Sequence, residues 1–255
     1  MDWVVLFCAG LLGGVLNSVA GGGSFITFPA LLWFGLAPIV ANATNTFAAC
    51  AGYISGAWGF RRDIASQPNK VWSIVIFSLF GGALGAWLLL NTSEDLFVAA
   101  IPWLLLFATL LFLLGEKVRH FADVLACSSV KSKRLASLGL VLCLVSVSAY
   151  GGFFNAGLGV IVLSYLVIAG FNDIHQMNGL KLLISTCVSQ SAIVLFLWQG
   201  AIHWQTGSIV LLGTLTGGYL AATISRRLSQ RAVKRFVAIS SLCMTGYFFV
   251  DVYMV

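Results

Sequence analysis

The sequence has few charged residues, and this scarcity excludes a water-soluble fold. Asp, Glu, Lys and Arg make up 9% of the 255 residues, while 60% are hydrophobic. Soluble domains carry roughly 25% charged residues, so this chain cannot cover a surface that faces water. The composition predicts an all-α polytopic membrane protein in a lipid bilayer, with roughly 8–10 membrane segments.

Carboxylates are absent from the interiors of the apolar runs. Those after Asp2 lie in predicted loops, at a predicted helix start or near the chain end: Asp63, Glu94, Asp95, Glu116, Asp123, Asp173 and Asp251. Because ion pumps commonly use intramembrane carboxylates, cation transport is disfavoured. No His, Cys, Asp and Glu residues have metal-ligand spacing, so we expect neither a metal nor a cofactor. The net charge of +6 comes mainly from loops and predicts membrane orientation, not a nucleic-acid partner.

Two glycine-rich stretches interrupt the apolar runs, at residues 17–24 and 151–159. Each glycine costs a helix about 1 kcal/mol relative to alanine. Within a membrane, broken helices survive only where protein or a watery cavity surrounds the freed backbone. Paired interruptions in two halves of a chain are typical of a transporter's binding site.

The apolar runs predict ten helical segments in two repeats. The first repeat covers residues 1–115, a basic cytoplasmic linker covers 116–134, and the second repeat covers 135–255. The predicted segments are 3–20, 24–36, 39–60, 71–90, 96–115, 135–154, 160–170, 174–198, 208–225 and 236–253. Segments 24–36 and 160–170 are shorter than the roughly 20 residues of a full crossing, so each either spans or re-enters the membrane.

Landmarks in the two halves recur at a nearly constant offset, which indicates a gene duplication. Gly35 matches Gly170, Gly81 matches Gly217, and Asn17 matches Asn155. The basic loops exchange places between the halves: loop 61–70 is basic and its counterpart 199–207 is not. Because positive charge stays on the cytoplasmic side, this exchange predicts two inverted repeats with broken or re-entrant helices.

The candidate binding residues lie at the breaks and on the segments that follow them. A helix that starts at Ser24 would direct backbone N–H groups and its positive dipole end toward an anion. Lys181 would supply charge, and the asparagines would supply neutral contacts. The alternatives are glycine packing, a lysine that reaches the interface, and interhelical hydrogen bonds. The substrate-binding set is Asn17, Gly21, Gly22, Gly23, Ser24, Asn42, Thr44, Asn45, Asn155, Gly157, Gly159, Asn178 and Lys181.

Two motifs resemble those of a known permease family. The first is Gly14-x-x-Asn17-Ser18-x-Ala20-Gly21-Gly22-Gly23-Ser24, followed by Pro29-Ala30-Leu31, Gly35 and Ala43-Thr44-Asn45. The second is Asn155-Ala156-Gly157-x-Gly159, followed by Gly170-Phe171 and Lys181-Leu182-Leu183. Together they resemble the sulfite exporter TauE/SafE family. The resemblance implies a bacterial inner-membrane protein with two homologous halves that moves sulfur-containing anions such as sulfite, sulfonates or sulfoacetate.

Three functions follow from these observations. The first is a non-enzymatic transporter, an exporter by resemblance, that binds a small anion between the repeats and works by alternating access, with a homodimer as a possible assembly. The second is a membrane scaffold that does not transport and tolerates bulky residues at Gly22. The third is a channel or carrier for another small organic anion or a neutral solute.

Overall fold

The computed structural model describes residues 2–19, 21–65, 68–127, 133–224 and 230–254. These residues form helices joined by short connections, without a strand among them. The helices are α1 Asp2–Val19, α2 Ser24–Trp33, α3 Pro38–Gly59, α4 Arg61–Ile64, α5 Pro68–Leu90, α6 Glu94–Cys127, α7 Lys133–Phe153, α8 Leu158–Ile168, α9 Ile174–Trp198, α10 Trp204–Ile224 and α11 Gln230–Tyr253.

The helices have the length and apolar surface of membrane spans. In the described part of the chain, four stretches are long and apolar enough to cross a bilayer: Val71–Leu90, Glu94–Leu114, Ile174–Trp198 and Arg235–Tyr253. Shorter apolar helices accompany them. Large apolar side chains such as Trp72, Phe80 and Trp87 project outward from α5, where lipid solvates them. The prediction of an all-α polytopic membrane protein is confirmed.

Several boundaries differ from the prediction, and three of the differences change the extent of a predicted loop or linker. Helix α6 runs into the predicted linker 116–134 as far as Cys127, and residues 128–132 lie outside the described ranges. Helix α10 begins at Trp204, inside the predicted loop 199–207. The basic loop 61–70 contains the one-turn helix α4 and the first turn of α5. Apolar composition marks the depth of the lipid, whereas a helix continues through polar residues of good helix propensity.

The same packing contacts occur in both halves of the chain. Gly82 on α5 packs against Val188 and Ser191 on α9, and Gly218 on α10 packs against Gly52 and Ser55 on α3. The two sets correspond at the predicted repeat offset, because Gly82 matches Gly218, Gly52 matches Val188 and Ser55 matches Ser191. The glycine therefore lies in the first half in one set and in the second half in the other. Thr109 on α6 and Thr245 on α11 are 136 residues apart and share a hydrogen bond of 3.2 Å, so a pseudo-two-fold axis passes between them.

The equivalent helices of the two halves run in opposite directions where they meet. On α3 and α9, Gly56 packs against Leu182 and Phe60 packs against Gly179, so position numbers rise on one helix as they fall on the other. Helices α6 and α11 show the same order, since Tyr253 bonds to Ala99. The pseudo-two-fold axis is therefore perpendicular to these helices. For membrane-spanning helices this is the geometry of inverted repeats.

Helix α2 folds back along α1 instead of continuing its path. A Cβ on Gly13 would lie 2.6 Å from Cγ2 of Thr27 and 3.3 Å from the carbonyl oxygen of Gly23. A helix that continued past the break would carry Thr27 away from Gly13. The segment predicted at 24–36 is therefore the returning arm of a re-entrant hairpin, and α7 and α8 form its counterpart.

Aromatic side chains hold the two hairpins together beside the breaks. The rings of Phe28 on α2 and Phe154 in the second break lie 5.5 Å apart, edge to face. Phe28 also stacks on Phe248 of α11 at 6.1 Å, and Phe154 contacts Phe97 of α6 at 6.2 Å. These buried rings fix the position of each break relative to the other half.

Candidate functional site

The break between α1 and α2 and the break between α7 and α8 meet at their glycines. Gly21 has a φ of +83° and Gly157 a φ of +78°, a left-handed conformation that costs other residues about 1–2 kcal/mol. A Cβ on Gly21 would lie 2.8 Å from Cα of Gly159. The glycines therefore let the two backbones touch where the repeats cross.

Two backbone donors predicted for an anion are already engaged within the protein. The N–H of Gly21 donates to the carbonyl of Leu16 at 2.9 Å. The N–H of Gly23 donates to Oδ1 of Asn17 at 2.7 Å. The N–H groups of Gly21 and Gly23 thus stabilise the conformation of the break. The polar groups left for a ligand are therefore mainly those of side chains.

A continuous polar path leads from the first break into α3. The hydroxyl of Thr27 lies 3.4 Å from the carbonyl of Gly23 and donates to Oδ1 of Asn45. Asn17, Thr27 and Asn45 are all buried. The end of α1, the start of α2 and the middle of α3 are therefore joined by hydrogen bonds at one place.

The second break reaches the same face of α3 through a tyrosine. The Tyr53 hydroxyl donates to Oδ1 of Asn155 at 2.9 Å, across 102 residues of sequence. Tyr53 lies two helical turns after Asn45, and side chains on a helix lean toward its N-terminus. Leu182 packs against Tyr53 in the core, so the residue after Lys181 also adjoins this face.

Lys181 is buried and lacks a negatively charged partner among its hydrogen bonds. Its side chain is 1% exposed, which excludes the interpretation that it reaches the membrane interface. Nζ donates to the carbonyl of Ser18 at 3.4 Å and to Oδ1 of Asn178 at 3.3 Å. Of the described charged side chains, it alone is fully buried. A positive charge held only by neutral oxygens is costly at membrane depth.

Asn42 makes the matching contact in the other half. Its Nδ2 donates to the carbonyl of Phe153, the last residue of α7, at 2.9 Å. Lys181 bonds in the same way to a carbonyl in the last turn of α1. The final carbonyls of a helix have no partner within it, so each broken helix is capped by a side chain from the opposite repeat.

Several buried donors have no partner among the described residues. They include the amide nitrogens of Asn17, Asn45 and Asn155 and the hydroxyl groups of Ser18, Ser185 and Ser189. Buried polar groups in proteins are normally hydrogen-bonded, and each exception needs an explanation. The oxygens of a bound anion would accept hydrogen bonds from the unpaired amide N–H groups at both breaks.

Two of the sequence interpretations need correction. Asn17 and Asn155 are not equivalent, because Asn17 belongs to the last turns of α1 while Asn155 lies beyond the end of α7. Thr44 faces away from the breaks: its hydroxyl accepts the N–H of His203 at 3.0 Å, before α10. Thr44 therefore joins α3 to the neighbouring helix and does not belong to the polar cluster.

Sequence reasoning missed Thr27 and Tyr53, which orient two of the asparagines. Thr27 follows the break in the α2 run, and Tyr53 lies eight residues after Asn45 on α3. A period of about 3.6 residues brings positions 45, 49 and 53 onto one helix face, which is the signal that could have identified Tyr53. Nothing local pairs Thr27 with Asn45, because that contact depends on the hairpin.

The described residues contain no group of three or more His, Cys, Asp or Glu side chains that could hold a metal ion. The site therefore consists of neutral amides and hydroxyls with one lysine. Such a set can bind and release an anion, and it offers no apparent nucleophile–base pair for covalent chemistry.

Comparison with known proteins agrees with this fold and composition. The family model described as "Sulfite exporter TauE/SafE" matches residues 6–248. The chain is 31% identical over 245 residues to a probable membrane transporter protein of Haemophilus influenzae, covering 95% of this chain and 92% of the relative. It is 29% identical over 252 residues to the probable membrane transporter protein YfcA of Escherichia coli K12, covering 97% and 89%. No solved structure matches the chain significantly.

The family match spans almost the whole chain and includes both breaks and every described helix, apart from the first residues of α1 and the last residues of α11. The relatives are named probable membrane transporter proteins, a non-enzymatic class. The protein is a multi-pass membrane transporter, and it belongs to the Sulfite exporter TauE/SafE family.

Proposed function

We propose that the protein carries small sulfur-containing anions such as sulfite, sulfonates or sulfoacetate out across a bacterial inner membrane by alternating access. The binding site lies where the two breaks cross. The observation that carries the proposal is Lys181, a fully buried ammonium group whose bonded partners are two neutral oxygens.

A bound anion supplies the missing counter-charge. An unpaired buried charge costs several kcal/mol, and an ionised partner offsets much of that cost. The amide nitrogens of Asn17, Asn45 and Asn155 add unpaired donors from both repeats. A sulfur oxyanion presents several oxygens on one atom, so it can accept from donors that approach from different sides.

The position of the site between inverted repeats supports alternating access. Inverted repeats place the substrate site near the middle of the bilayer, and one repeat moves against the other around it. Here the breaks touch at Gly21 and Gly159, and each broken helix is capped from the opposite half. Movement between the halves would open and close these contacts in turn.

Purified protein reconstituted in liposomes tests this function. We expect flux of sulfite or methanesulfonate above that of empty liposomes. Lys181→Gln keeps an N–H donor for the Ser18 carbonyl and removes the charge. It should lower flux by about tenfold or more, since hydrogen bonds to charged groups contribute about 1.5–3 kcal/mol.

The matched control is Arg61→Gln, an exposed cation on α4 that bonds to the Trp58 carbonyl. It should retain wild-type flux. If wild-type liposomes move none of the sulfur anions, or if Lys181→Gln transports them as well as wild type, the proposal is wrong.

A further inference from the structure

The three asparagines at the breaks share one arrangement: each amide oxygen is held by a donor of the protein. Oδ1 of Asn17 accepts the N–H of Gly23. Oδ1 of Asn45 accepts the Thr27 hydroxyl, and Oδ1 of Asn155 accepts the Tyr53 hydroxyl. The three donors come from different elements, namely the first break, α2 and α3.

Fixing the oxygen of an amide also fixes its nitrogen. A carboxamide carries an acceptor at one end and two donors at the other, so its selectivity depends on which end points to the ligand. The Gly23 N–H can only donate, which sets the orientation of Asn17. In all three side chains Nδ2 is buried and has no partner in the described part of the protein.

We propose that Thr27 and Tyr53 are positioning residues that set substrate selectivity, because they turn the amide nitrogens of Asn45 and Asn155 toward the anion. This inference rests on the proposed function and names the ligand class more closely. The ligand is an oxyanion with one negative charge that is recognised mainly through acceptor oxygens, which favours simple sulfonates over sulfoacetate, whose carboxylate adds a second charge.

The single charge follows from the charged groups that line the site. Lys181 is the one fully buried charged side chain among the described residues, and its hydrogen-bond partners are a neutral carbonyl and a neutral amide oxygen. One negative charge is matched by one ammonium group. A second negative charge would have no cation of its own at membrane depth, where unpaired charge is expensive.

The orientation of the asparagine amides explains why the site should prefer ligand oxygens that accept hydrogen bonds. Asn17, Asn45 and Asn155 offer N–H groups, and among the described asparagines only Asn42 has a buried amide oxygen without a partner, while its nitrogen donates to the Phe153 carbonyl. A ligand hydroxyl offers these nitrogens a weaker acceptor than a charged oxygen does, and its own proton needs an acceptor that the three amide nitrogens cannot supply. Sites built around oriented donors reject such analogues strongly.

Methanesulfonate and the singly charged form of methylphosphonate separate this preference from charge. The two anions have nearly the same shape and the same charge, but methylphosphonate carries one O–H donor in that form. Binding of each to purified protein, measured by calorimetry at a pH where methylphosphonate bears one charge, gives a selectivity ratio. We expect wild type to prefer methanesulfonate by about tenfold or more.

Tyr53→Phe and Thr27→Val each remove one hydroxyl and leave one amide free to turn. The methanesulfonate preference should fall by about three- to tenfold in each, the range expected for one hydrogen bond. Thr27→Ser keeps the hydroxyl and should restore the wild-type ratio. A purely structural role would produce a general loss of affinity. A positioning role is distinguished by a change in the selectivity ratio.

Buried residues of the same type outside the cluster provide matched controls. Tyr165→Phe changes a buried tyrosine of the second apolar core cluster, and Thr109→Val changes a buried threonine that bonds to Thr245 on α11. Both should keep the wild-type ratio. The inference is overturned if the folded Tyr53→Phe and Thr27→Val proteins both keep that ratio, or if wild type prefers methylphosphonate.

These outcomes differ from failure of the proposed function. If wild type binds neither anion and moves no sulfur anion in liposomes, the proposed function itself is wrong. If wild type binds and transports sulfonates but its selectivity does not respond to Thr27 and Tyr53, only the role of these two residues is wrong.

Discussion

Asn42 and Lys181 do the same structural work at opposite ends of the site. Each extends from the helix that follows a hairpin and bonds to the last turn of the broken helix in the other repeat, at Phe153 and at Ser18. Helix C-termini carry partial negative charge and unpaired carbonyls. One cap is neutral and the other is charged, so the two halves of the site differ electrostatically although their folds match.

Replacing Asn42 tests this capping at the scale of one residue. Asn42→Ala leaves the Phe153 carbonyl without its amide donor in a buried place, and it should lower the free energy of unfolding by about 1–3 kcal/mol. Denaturant unfolding in detergent measures the change. Asn91→Ala is the control, because that exposed amide also bonds to a helix carbonyl, of Trp87, which water can satisfy. An equal loss in both variants would contradict the capping role.

Residue type alone identified much of the candidate site. Lys181 and the asparagines stand out because polar groups are rare inside apolar runs, and the sequence placed them on segments next to the breaks. The glycines were predicted to offer donors, but they mainly allow close approach of the backbones. Thr27 and Tyr53 could not be assigned from type, because hydroxyls in apolar helices usually bond to their own helix.

At the scale of elements, the hairpins depend on glycines that no other residue can replace without strain. Gly21 combines a positive φ with contact to the backbone of Gly159. A side chain there would meet main-chain atoms that cannot move away independently. The crossing of the two hairpins is therefore a fixed point around which the helices are arranged.

Gly21→Ala should destabilise the protein by at least about 2 kcal/mol, from the left-handed backbone and the clash with Gly159. Gly246→Ala on α11 is the control, because a Cβ there meets nothing within 4 Å. It should be neutral or stabilising by up to about 1 kcal/mol. Thermal unfolding of both variants in detergent gives the comparison. Equal unfolding temperatures would show that the crossing does not constrain the fold.

The bounds of a helix were predictable where the helix and its apolar stretch begin and end at the same residues. The segment 174–198 matches α9, Ile174–Trp198, because Asp173 caps the helix start by accepting two backbone N–H groups. Those bonds from Gln176 and His175 also lower the pKa of Asp173. Helix α6 was misjudged because Glu, Lys, Arg, Ala and Leu after residue 115 sustain a helix beyond the apolar stretch.

At the scale of the whole molecule, the helix directions give a consistent orientation. With α1–α2 and α7–α8 folded back, an inverted arrangement requires three crossings in each repeat, α3, α5 and α6 in the first and α9, α10 and α11 in the second. The four described stretches that are long and apolar enough to cross lie on α5, α6, α9 and α11. After an odd number of crossings the second repeat begins on the opposite side of the membrane, so it is inverted relative to the first. The sequence predicted the inversion from its loop charges, but it could not settle the number of crossings, since the fold-back depends on contacts between α1 and α2.

Positive charge is concentrated at one end of this arrangement. Every Lys and Arg except Lys181 belongs to the connections α3–α5, α6–α7 and α10–α11 or to the helix turns beside them. The turns at 34–37, 91–93 and 199–203 at the other end contain none. The positive-inside rule predicts that the basic end faces the cytoplasm and that both ends of the described fold lie on the opposite side of the membrane.

Cysteine labelling in intact cells tests the central claim that two opposed repeats face each other across the breaks. In a cysteine-free background, Arg62→Cys and Gln199→Cys place one thiol after each of the equivalent helices α3 and α9, at exposed positions. Ser93→Cys serves as the control at the same end as Gln199. We predict that an impermeant maleimide labels positions 93 and 199 from outside and position 62 only after the membrane is opened. Labelling of 62 and 199 from the same side would contradict the inverted arrangement and the site built on it.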